Sequence, residues 1–338
     1  MINSSSQGRA PVTPRRVLHV LLFLTFLLLA VSFAGFSLGS VHIPFSRMLA
    51  IFSGEASGIE RTILLDIRLP RILLAIFVGA GLSVAGVVFQ ALLRNPLAEP
   101  YILGISSGGT VGALLALWAF AGIAAFAAPV AAFAGCLAVM AIVFMLGHRH
   151  GELDTYALLL AGVMVGAFFN AMVLVGFSIA NQDMRSAFLL LMGNLSGAGS
   201  GSLLLTGPLI VVVSIFVVLR ARDFNLIATG DETAMQLGVD VRRFRRVSYV
   251  LASLVTGVAV SLSGIIGFIG LIIPHMCRMW LGPDHRLLLP ASFLGGAIFL
   301  VVADIISRTV ISPAEIPVGA VTAAIGAPLF IYLLRRNP

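Results

Sequence analysis

The chain has 338 residues, of which 59% are apolar and only 10% are charged, and its formal charge is +7. Soluble domains carry about 25% charged residues, so this composition excludes an ordinary soluble globule and indicates a chain surrounded by lipid. All 21 basic residues are arginine, which excludes a lysine-containing phosphate-binding loop and a lysine Schiff base. If the protein uses ATP, another chain must bind it. We interpret the positive charge as a signal of membrane topology and not of nucleic-acid binding.

Apolar stretches with almost no charge mark ten candidate membrane spans, since a helix needs about 20 apolar residues to cross the hydrocarbon core. The first, Val17–Leu38, is too long for the apolar region of a cleaved signal peptide. Tyr101–Gly147 is long enough for two crossings, with a turn near Gly122–Pro129. The other spans are, in chain order, Ile72–Leu93, Thr155–Gln182, one from about Leu203, Val247–Ile266, Phe268–Leu281, Leu287–Ser307 and Ile316–Leu334. We therefore expect an all-α polytopic fold with an N-terminal tail at 1–16 and a single transmembrane domain at 17–338.

The arginines predict the orientation of these spans. Ten spans place both chain ends on one side of the membrane, and the connections on that side hold 15 of the 21 arginines. Because positive charge favours the cytoplasmic side, we predict a bacterial inner-membrane protein with both termini in the cytoplasm. The six arginines on the outer side are not explained by this rule.

Several residues recur at an offset of 178 positions, which indicates an internal repeat. The helices before the two prolines of this set would run in opposite directions, as in the inverted-topology repeats of many transporters. The repeat would relate spans two to five to spans seven to ten. The pairs are Gly79 and Gly257, Ser83 and Ser261, Gly86 and Gly264, Pro96 and Pro274, Leu103 and Leu281, and Gly104 and Gly282.

The connection after the second span carries an unusual group of helix-breaking residues. Pro96 and Pro100 are four residues apart and cannot both lie inside a regular helix. Asn95 and Ser106 can cap the broken ends, and the glycines after Ser107 allow a helix or a substrate to approach closely. A capped turn between two spans remains an alternative interpretation, because turns favour the same residue types.

The largest cytoplasmic connection covers about 220–246 and contains the segment Gly230-Asp-Glu-Thr-Ala-Met-Gln-Leu-Gly238. Asp231 and Glu232 suit the N-terminus of a short helix, and Gly238 suits its end. We expect short amphipathic helices that present a docking surface for a soluble partner. The alternative is a segment that lies on lipid headgroups, which fits Arg242–Arg246 better than the two acids.

Few residues suggest chemistry. His275 follows Pro274, and no second metal ligand lies at helical spacing from it, so we interpret it as a structural histidine and predict no metal site. Cys136 and Cys277 lie in apolar runs and do not indicate a disulfide. The weak candidates for contacts along a translocation path or gate are Ser106, Ser107, Asn170, Asn181 and Arg185.

Seven motifs together resemble the signature of the type II ABC importer permeases, which handle iron-siderophore, haem and vitamin B12 uptake. They follow the order of that family over nearly the whole chain after residue 60. They are Arg68-Leu-Pro-Arg71, Asn95-Pro-Leu-Ala-Glu-Pro100 with Leu103-Gly104 and Ser106-Ser-Gly108, Gly264-Ile-Ile-Gly-Phe-Ile-Gly-Leu-Ile-Ile-Pro-His275, Asp284-His-Arg-Leu-Leu-Leu-Pro290, Ala303-Asp304, Glu315-Ile-Pro-Val-Gly319 and Thr322-Ala-Ala-Ile-Gly-Ala-Pro328.

The resemblance implies a homodimer with the translocation path between the subunits, two cytoplasmic ATPase subunits and one extracytoplasmic substrate-binding protein. It implies that arginines 68, 71 and 308 pair with glutamates of the binding protein, and that Val163–Ile179 and Met184–Gly193 lie near the path. The alternative for Arg68 and Arg71 is a salt bridge to Asp66 or a membrane anchor, and for Arg308 it is an intrahelical pair with Asp304. The residues that would couple the chain to the ATPase are Leu226, Gly230, Asp231, Glu232, Ala234, Leu237 and Gly238.

The function predicted from these features is that of a permease that itself binds no cofactor, with ATP and Mg²⁺ used by the partner ATPase. An ion-coupled secondary transporter is the alternative, and it would need a buried acid near mid-depth, where the predicted spans show none clearly. A membrane enzyme would need a nucleophile with a base or a metal-ligand cluster, and the sequence offers neither. The cargo is not readable from the sequence, although an iron chelate is favoured because that group is the broadest in the family.

Overall fold

A computed structural model describes most of the chain. The described residues are 12–39, 41, 43–54, 58–101, 103–119, 124–149, 152–179, 193–196, 200–312 and 314–336. Asn181 and Arg185, two of the predicted path residues, lie outside these ranges, as does most of Met184–Gly193.

The described part of the chain folds into thirteen helices and one short antiparallel ladder, β1 (His148–Arg149) with β2 (Glu152–Leu153). The fold is therefore all-α, as predicted. The helices are α1 (Pro14–Ser37), α2 (Phe45–Phe52), α3 (Ile59–Leu92, with a π-helical stretch at Thr62–Arg68), α4 (Ile105–Ala119), α5 (Ala124–Gly147), α6 (Thr155–Ile179), α7 (Ser200–Leu219), α8 (Ala221–Ala228), α9 (Asp231–Gln236), α10 (Val241–Ser263), α11 (Ile269–Leu281), α12 (His285–Thr309) and α13 (Val318–Arg336).

Each of the ten predicted spans coincides with one of these helices. Six of them, namely α1, α3, α5, α6, α10 and α12, are long and apolar enough to cross a membrane, whereas α4, α7, α11 and α13 are shorter apolar helices. The second span begins earlier than predicted, because α3 starts at Ile59 and not near Ile72. Pro129 lies inside α5, which begins at Ala124, so the part of the predicted turn region from Ala124 onward is helical, and its first two residues lie outside the described ranges.

Helix α3 lies at the centre of the fold, with most of its surface covered by α10, α11 and α12. Glycines set these close approaches. A Cβ atom at Gly79 would overlap the carbonyl oxygen of Gly296 on α12, and a Cβ at Gly86 would overlap the backbone of Gly270 on α11. Small residues at helix crossings allow this close packing in membrane proteins. Burial of apolar surface contributes little free energy to helix association there, because the lipid is apolar too.

The predicted repeat is visible in the helix contacts. Both bundles place a short helix second, with 15 residues in α4 and 13 in α11. Gly79 of α3 packs against α12, and Gly257 of α10 packs against Cys136 of α5, so the first helix of each bundle contacts the third helix of the other. The predicted pairing of single residues is wrong from Gly86 onward. Pro96 lies in a turn whereas Pro274 lies inside α11, and Gly104 precedes α4 whereas Gly282 follows α11.

Candidate functional site

The connection between α7 and α10 forms two short helices, α8 and α9, with glycines at the boundaries of α9. Gly230 precedes α9 with φ 127°, and Gly238 follows it with φ 87°, which are backbone conformations that favour glycine. The acids Asp231 and Glu232 occupy the first turn of α9, where the helix dipole favours negative charge. The helix predicted from this segment is therefore confirmed, together with both of its ends.

The inner face of α8 attaches this connection to the transmembrane helices. Phe224 and Ile227 are buried. The Phe224 ring contacts Phe244 of α10 edge-on, with ring centroids 4.7 Å apart, and stacks on His285 of α12 at 5.5 Å. Aromatic pairs in these geometries add about 0.5–1.5 kcal/mol to the burial of their area. These ring contacts join α8 to the beginnings of α10 and α12.

A polar contact also joins α8 to the beginning of α12. The Asn225 side chain donates to Asp284 at 2.8 Å and accepts from the His285 backbone N–H at 2.9 Å. Hydrogen bonds from Arg286, and to a lesser extent from Asn225, hold the pKa of Asp284 well below its usual range. The Asp284 carboxylate is therefore charged at neutral pH, where it also caps α12. Asn225 was not singled out in the sequence, because its partners are about 60 residues away.

Asp231 connects α9 to both bundles. Its carboxylate pairs with Arg94, from the connection after α3, at 2.6 Å and with Arg245, from α10, at 2.9 Å. Arg94 belongs to the first bundle and Arg245 to the second. The first residue of α9 therefore lies where the two bundles meet.

The outer face of α9 is apolar at two positions. Met235 is 55% exposed and Leu237 is 61% exposed. Beside them lies a cleft of ≈ 520 Å³ whose lining includes Leu226, Leu237 and Gly238. The structure corrects one residue of the predicted surface, because Ala234 is fully buried and packs inward. Met235, which the sequence analysis did not single out, is the exposed apolar side chain of α9 itself.

The three predicted docking arginines do not project outward. Arg68, Arg71 and Arg308 lie at the end of the molecule opposite α9, and each is only 4–5% exposed. Arg71 pairs with Asp304 at 2.7 Å and with Glu315 at 2.8 Å, and Arg308 pairs with Asp304 at 3.0 Å. We call Arg71, Asp304, Arg308 and Glu315 the arginine cluster. The prediction that these guanidinium groups project outward needs correction, because Arg71 and Arg308 are paired with carboxylates of this chain and Arg68 is buried against backbone carbonyl groups.

Arg68 is bound to the backbone of the first helix. Its guanidinium donates to the carbonyl groups of Phe36, Ser37 and Val41, and Arg308 donates to the carbonyls of Gly35 and Leu38 at 3.2 and 3.3 Å. Carbonyl groups at the end of a helix lack partners within that helix, and cationic donors satisfy them well. Arg68 and Arg308 therefore fix the end of α1, which gives a structural role to two of the six arginines predicted on the outer side.

The Asn95–Ser107 connection forms a compact turn followed by α4. The Asn95 side chain accepts from the Leu97 N–H at 2.9 Å and closes this turn, which agrees with the alternative interpretation of a capped turn and not with the capping of a helix end. Ser106 does not cap the helix but is buried in its first turn, and Ser107 donates to the Gly104 carbonyl at 2.8 Å. Gly104, with φ 73°, lies against Gly166 of α6.

The remaining path candidates differ in exposure. Ser106 and Ser107 are buried between helices of this chain, so they do not face an open path in this conformation. Asn170 lies on the exposed face of α6. His275 lies within α11 with its ring 5.9 Å from that of Phe330. The residues that the structure describes contain no group of three metal-ligating side chains.

Glu99 is a buried acid that the sequence analysis missed because it lies in a connection and not in a predicted span. Its carboxylate, in a side chain that is 6% exposed, accepts from the backbone N–H of Phe268 at 3.2 Å. Phe268 precedes α11 in a left-handed conformation, with φ 70°. The carboxylate therefore joins the turn after α3 in the first bundle to the start of α11 in the second.

Glu99→Ala is expected to lower the free energy of unfolding by about 1–3 kcal/mol, because it removes the acceptor of the Phe268 N–H from a buried site. Glu99→Gln keeps a carbonyl acceptor and is expected to cost less. The thermal unfolding midpoints of the purified proteins in detergent measure both effects. Equal losses for the two variants would contradict the hydrogen bond as the source of stability.

Comparison with known proteins agrees with this architecture. The FecCD transport family matches residues 26–336. The hemin transport system permease HmuU of Yersinia pestis is 41% identical, covering 96% of this chain and 97% of that protein, and the vitamin B12 import permease BtuC of Klebsiella pneumoniae is 40% identical, covering 97% of each. A solved metal-chelate type ABC transporter in an inward-facing conformation superposes with a TM-score of 0.81, at 30% identity and over 94% of this chain and 99% of its own. This protein is therefore a multi-pass membrane protein that belongs to the FecCD transport family of ABC importer permeases.

Proposed function

We propose that the protein is the translocation subunit of an ATP-driven importer that carries a metal chelate across the bacterial inner membrane, with a ferric siderophore as the favoured cargo. The observation that carries the proposal is the α8–α9 surface, which exposes apolar side chains and is bound to both bundles through Asp231. Such a surface can transmit the movement of a partner to the two halves of the chain at once. Family membership supplies the direction of transport and the class of cargo.

The partner at this surface is an ATPase subunit that binds ATP and Mg²⁺. The absence of lysine from the chain supports this assignment, because a phosphate-binding loop needs one. Met235 and Leu237 are the apolar contacts, and Glu232 lies at the exposed edge of the same helix. The arginine distribution supports a cytoplasmic position for this surface and for both termini.

A second copy of the chain completes the path. Helices α6 and α13 both leave large apolar side chains exposed, among them Phe168 and Val175 on α6 and Ile331 and Tyr332 on α13. Asn170 is a polar residue on the exposed side of α6. A homodimer that joins α6 and α13 across a two-fold axis would cover the apolar side chains and leave Asn170 near the axis.

The substrate-binding protein docks at the opposite end of the molecule. The exposed charged groups that support this are Glu315, and Arg47 and Glu60, which form a pair at 2.6 Å. The buried guanidinium groups of the arginine cluster would act indirectly, by fixing the position of Glu315 through Arg71.

Uptake into proteoliposomes tests this function. The permease, its ATPase and its binding protein are reconstituted together, and labelled ferric siderophore, haem and cobalamin are offered in turn. We expect accumulation of one chelate only when ATP is supplied at the cytoplasmic face. Uphill uptake by the permease alone under an ion gradient would overturn the proposal in favour of a secondary transporter.

A further inference from the structure

A deep apolar groove lies on the side of the molecule formed by α1, α11 and α12. Its volume is ≈ 550 Å³, and its walls include Phe23 and Leu27 of α1, Trp280 of α11 and Phe299 of α12. His19 is the polar side chain among the lining residues. We call this cavity the α1 groove.

The α1 groove has the height of one lipid leaflet. Along α1 its lining runs from His19 to Leu27, and along α11 it runs from Ile273 to Leu281. At a rise of 1.5 Å per residue each wall is about 12 Å tall, close to the roughly 15 Å of one half of the hydrocarbon core. The groove begins near the first turns of α1 and the last turn of α11, so it occupies the leaflet nearest to α8 and α9.

Cationic side chains continue the wall of the groove toward the membrane surface. Arg15 and Arg16 each lie four residues before the groove residues His19 and Val20, and therefore on the same face of α1. The Arg16 guanidinium donates to the Leu281 carbonyl at 3.1 Å, which places it at the end of α11. Trp280 is 71% exposed beside it, and tryptophan is enriched at the level of lipid headgroups.

We propose that the α1 groove binds one acyl chain of an anionic phospholipid, with the lipid phosphate held by Arg15 and Arg16. The apolar walls give a soluble ligand almost no hydrogen-bonding groups, whereas an acyl chain needs none. The two arginines at the mouth select a negative headgroup, because each basic residue near a membrane surface favours an anionic lipid about fivefold. The lipid would stabilise the packing of α1 against α11 and α12. It would lie on the membrane side of the contact between α12 and α8.

Quenching of Trp280 fluorescence by brominated lipid measures this binding directly. The chain has two tryptophans, so Trp118→Phe leaves Trp280 as the reporter. The protein is placed in vesicles of phosphatidylcholine and phosphatidylglycerol in which either one or the other lipid is brominated at equal mole fraction. We expect brominated phosphatidylglycerol to quench Trp280 several-fold more effectively than brominated phosphatidylcholine.

Matched variants assign the preference to the arginines. Arg15→Gln with Arg16→Gln should make the two lipids quench equally, while Arg15→Lys with Arg16→Lys keeps the charge and should retain the preference. Arg47→Gln removes an exposed charge at the other end of the molecule and should have no effect. The converse reporter, Trp280→Phe, leaves Trp118 in a groove between α4 and α6 and should show no preference.

Three results would overturn the proposal. Equal quenching by the two brominated lipids in the protein with both arginines would show that the groove does not select an anionic lipid. Absence of quenching by either lipid would show that protein, such as a second copy of the chain, covers the groove. A preference abolished by inorganic phosphate, but not by sodium chloride of equal ionic strength, would show a site for a free anion and not for a lipid.

Discussion

A flexible Gly/Ser linker of equal length in place of Gly230–Gly238 is expected to reduce ATP-dependent uptake to background while the assembled complex still hydrolyses ATP. The replacement removes α9, its exposed Met235 and Leu237, and the Asp231 carboxylate that binds both bundles. A flexible chain cannot transmit displacement, because its ends move independently over the distance that the helix had fixed. Parallel measurement of phosphate release and labelled-chelate uptake in proteoliposomes separates the two activities.

Two point variants refine this experiment. Asp231→Ala breaks the ion pairs with Arg94 and Arg245 and is expected to lower the uptake per ATP hydrolysed without preventing assembly. Its cost in stability should be about 1 kcal/mol or less for each pair, since both pairs are partly exposed. Asp223→Asn breaks an ion pair with Arg220 at the start of α8 and serves as the control. Full uptake by the linker variant would show that α9 does not couple the two proteins.

The helices could be predicted from the sequence because lipid imposes a local rule. Each span must be apolar along its length, so it can be recognised from its own residues, whichever helices pack against it. The ends of α9 are local too, since Gly230 and Gly238 supply backbone conformations that other residues adopt rarely. The early start of α3 was not predicted, because the spans were identified by their lack of charge. Arg61, Asp66 and Arg68 within α3 therefore made this stretch resemble a connection between spans.

The arginine cluster shows the limit of the same reasoning. Spacing along the chain predicts correctly that Asp304 and Arg308 can pair across one helical turn. It cannot show that Arg71 reaches the same carboxylate, because 233 residues separate the two in sequence. The sequence is the same whether these arginines are exposed or are buried and paired. Only the packing of α3 against α12 shows that they are buried.

Glu99 and Asn225 were missed for a related reason. Each is a polar residue in or beside a connection, where composition alone predicts contact with water. Phe268, the partner of Glu99, comes close only when the two bundles pack, and Asp284, the partner of Asn225, comes close only when α8 packs against α12. Contacts between elements that are distant in sequence are therefore the part of the site that a single sequence does not reveal.

Asp304→Ala is expected to lower the free energy of unfolding by about 3–5 kcal/mol, the cost typical of breaking a buried ion pair by removing one partner. Asp304 is completely buried and lies between the guanidinium groups of Arg71 and Arg308. Without its carboxylate, two buried cations would share Glu315 alone, and Arg308 would be left beside the carbonyl groups at the end of α1. The loss is measured as a fall in the thermal unfolding midpoint and in the monodisperse fraction of the purified protein.

Glu315→Gln provides the comparison, because the Glu315 side chain is 43% exposed and water can solvate Arg71 when its charge is removed. Its expected cost is about 1 kcal/mol or less, as for an exposed pair. The difference between the two variants follows from burial and from the number of partners, since Asp304 pairs with two guanidinium groups and Glu315 with one. If Asp304→Ala were no more destabilising than Glu315→Gln, water would have to reach the arginine cluster, and its guanidinium groups would again be available to a binding protein.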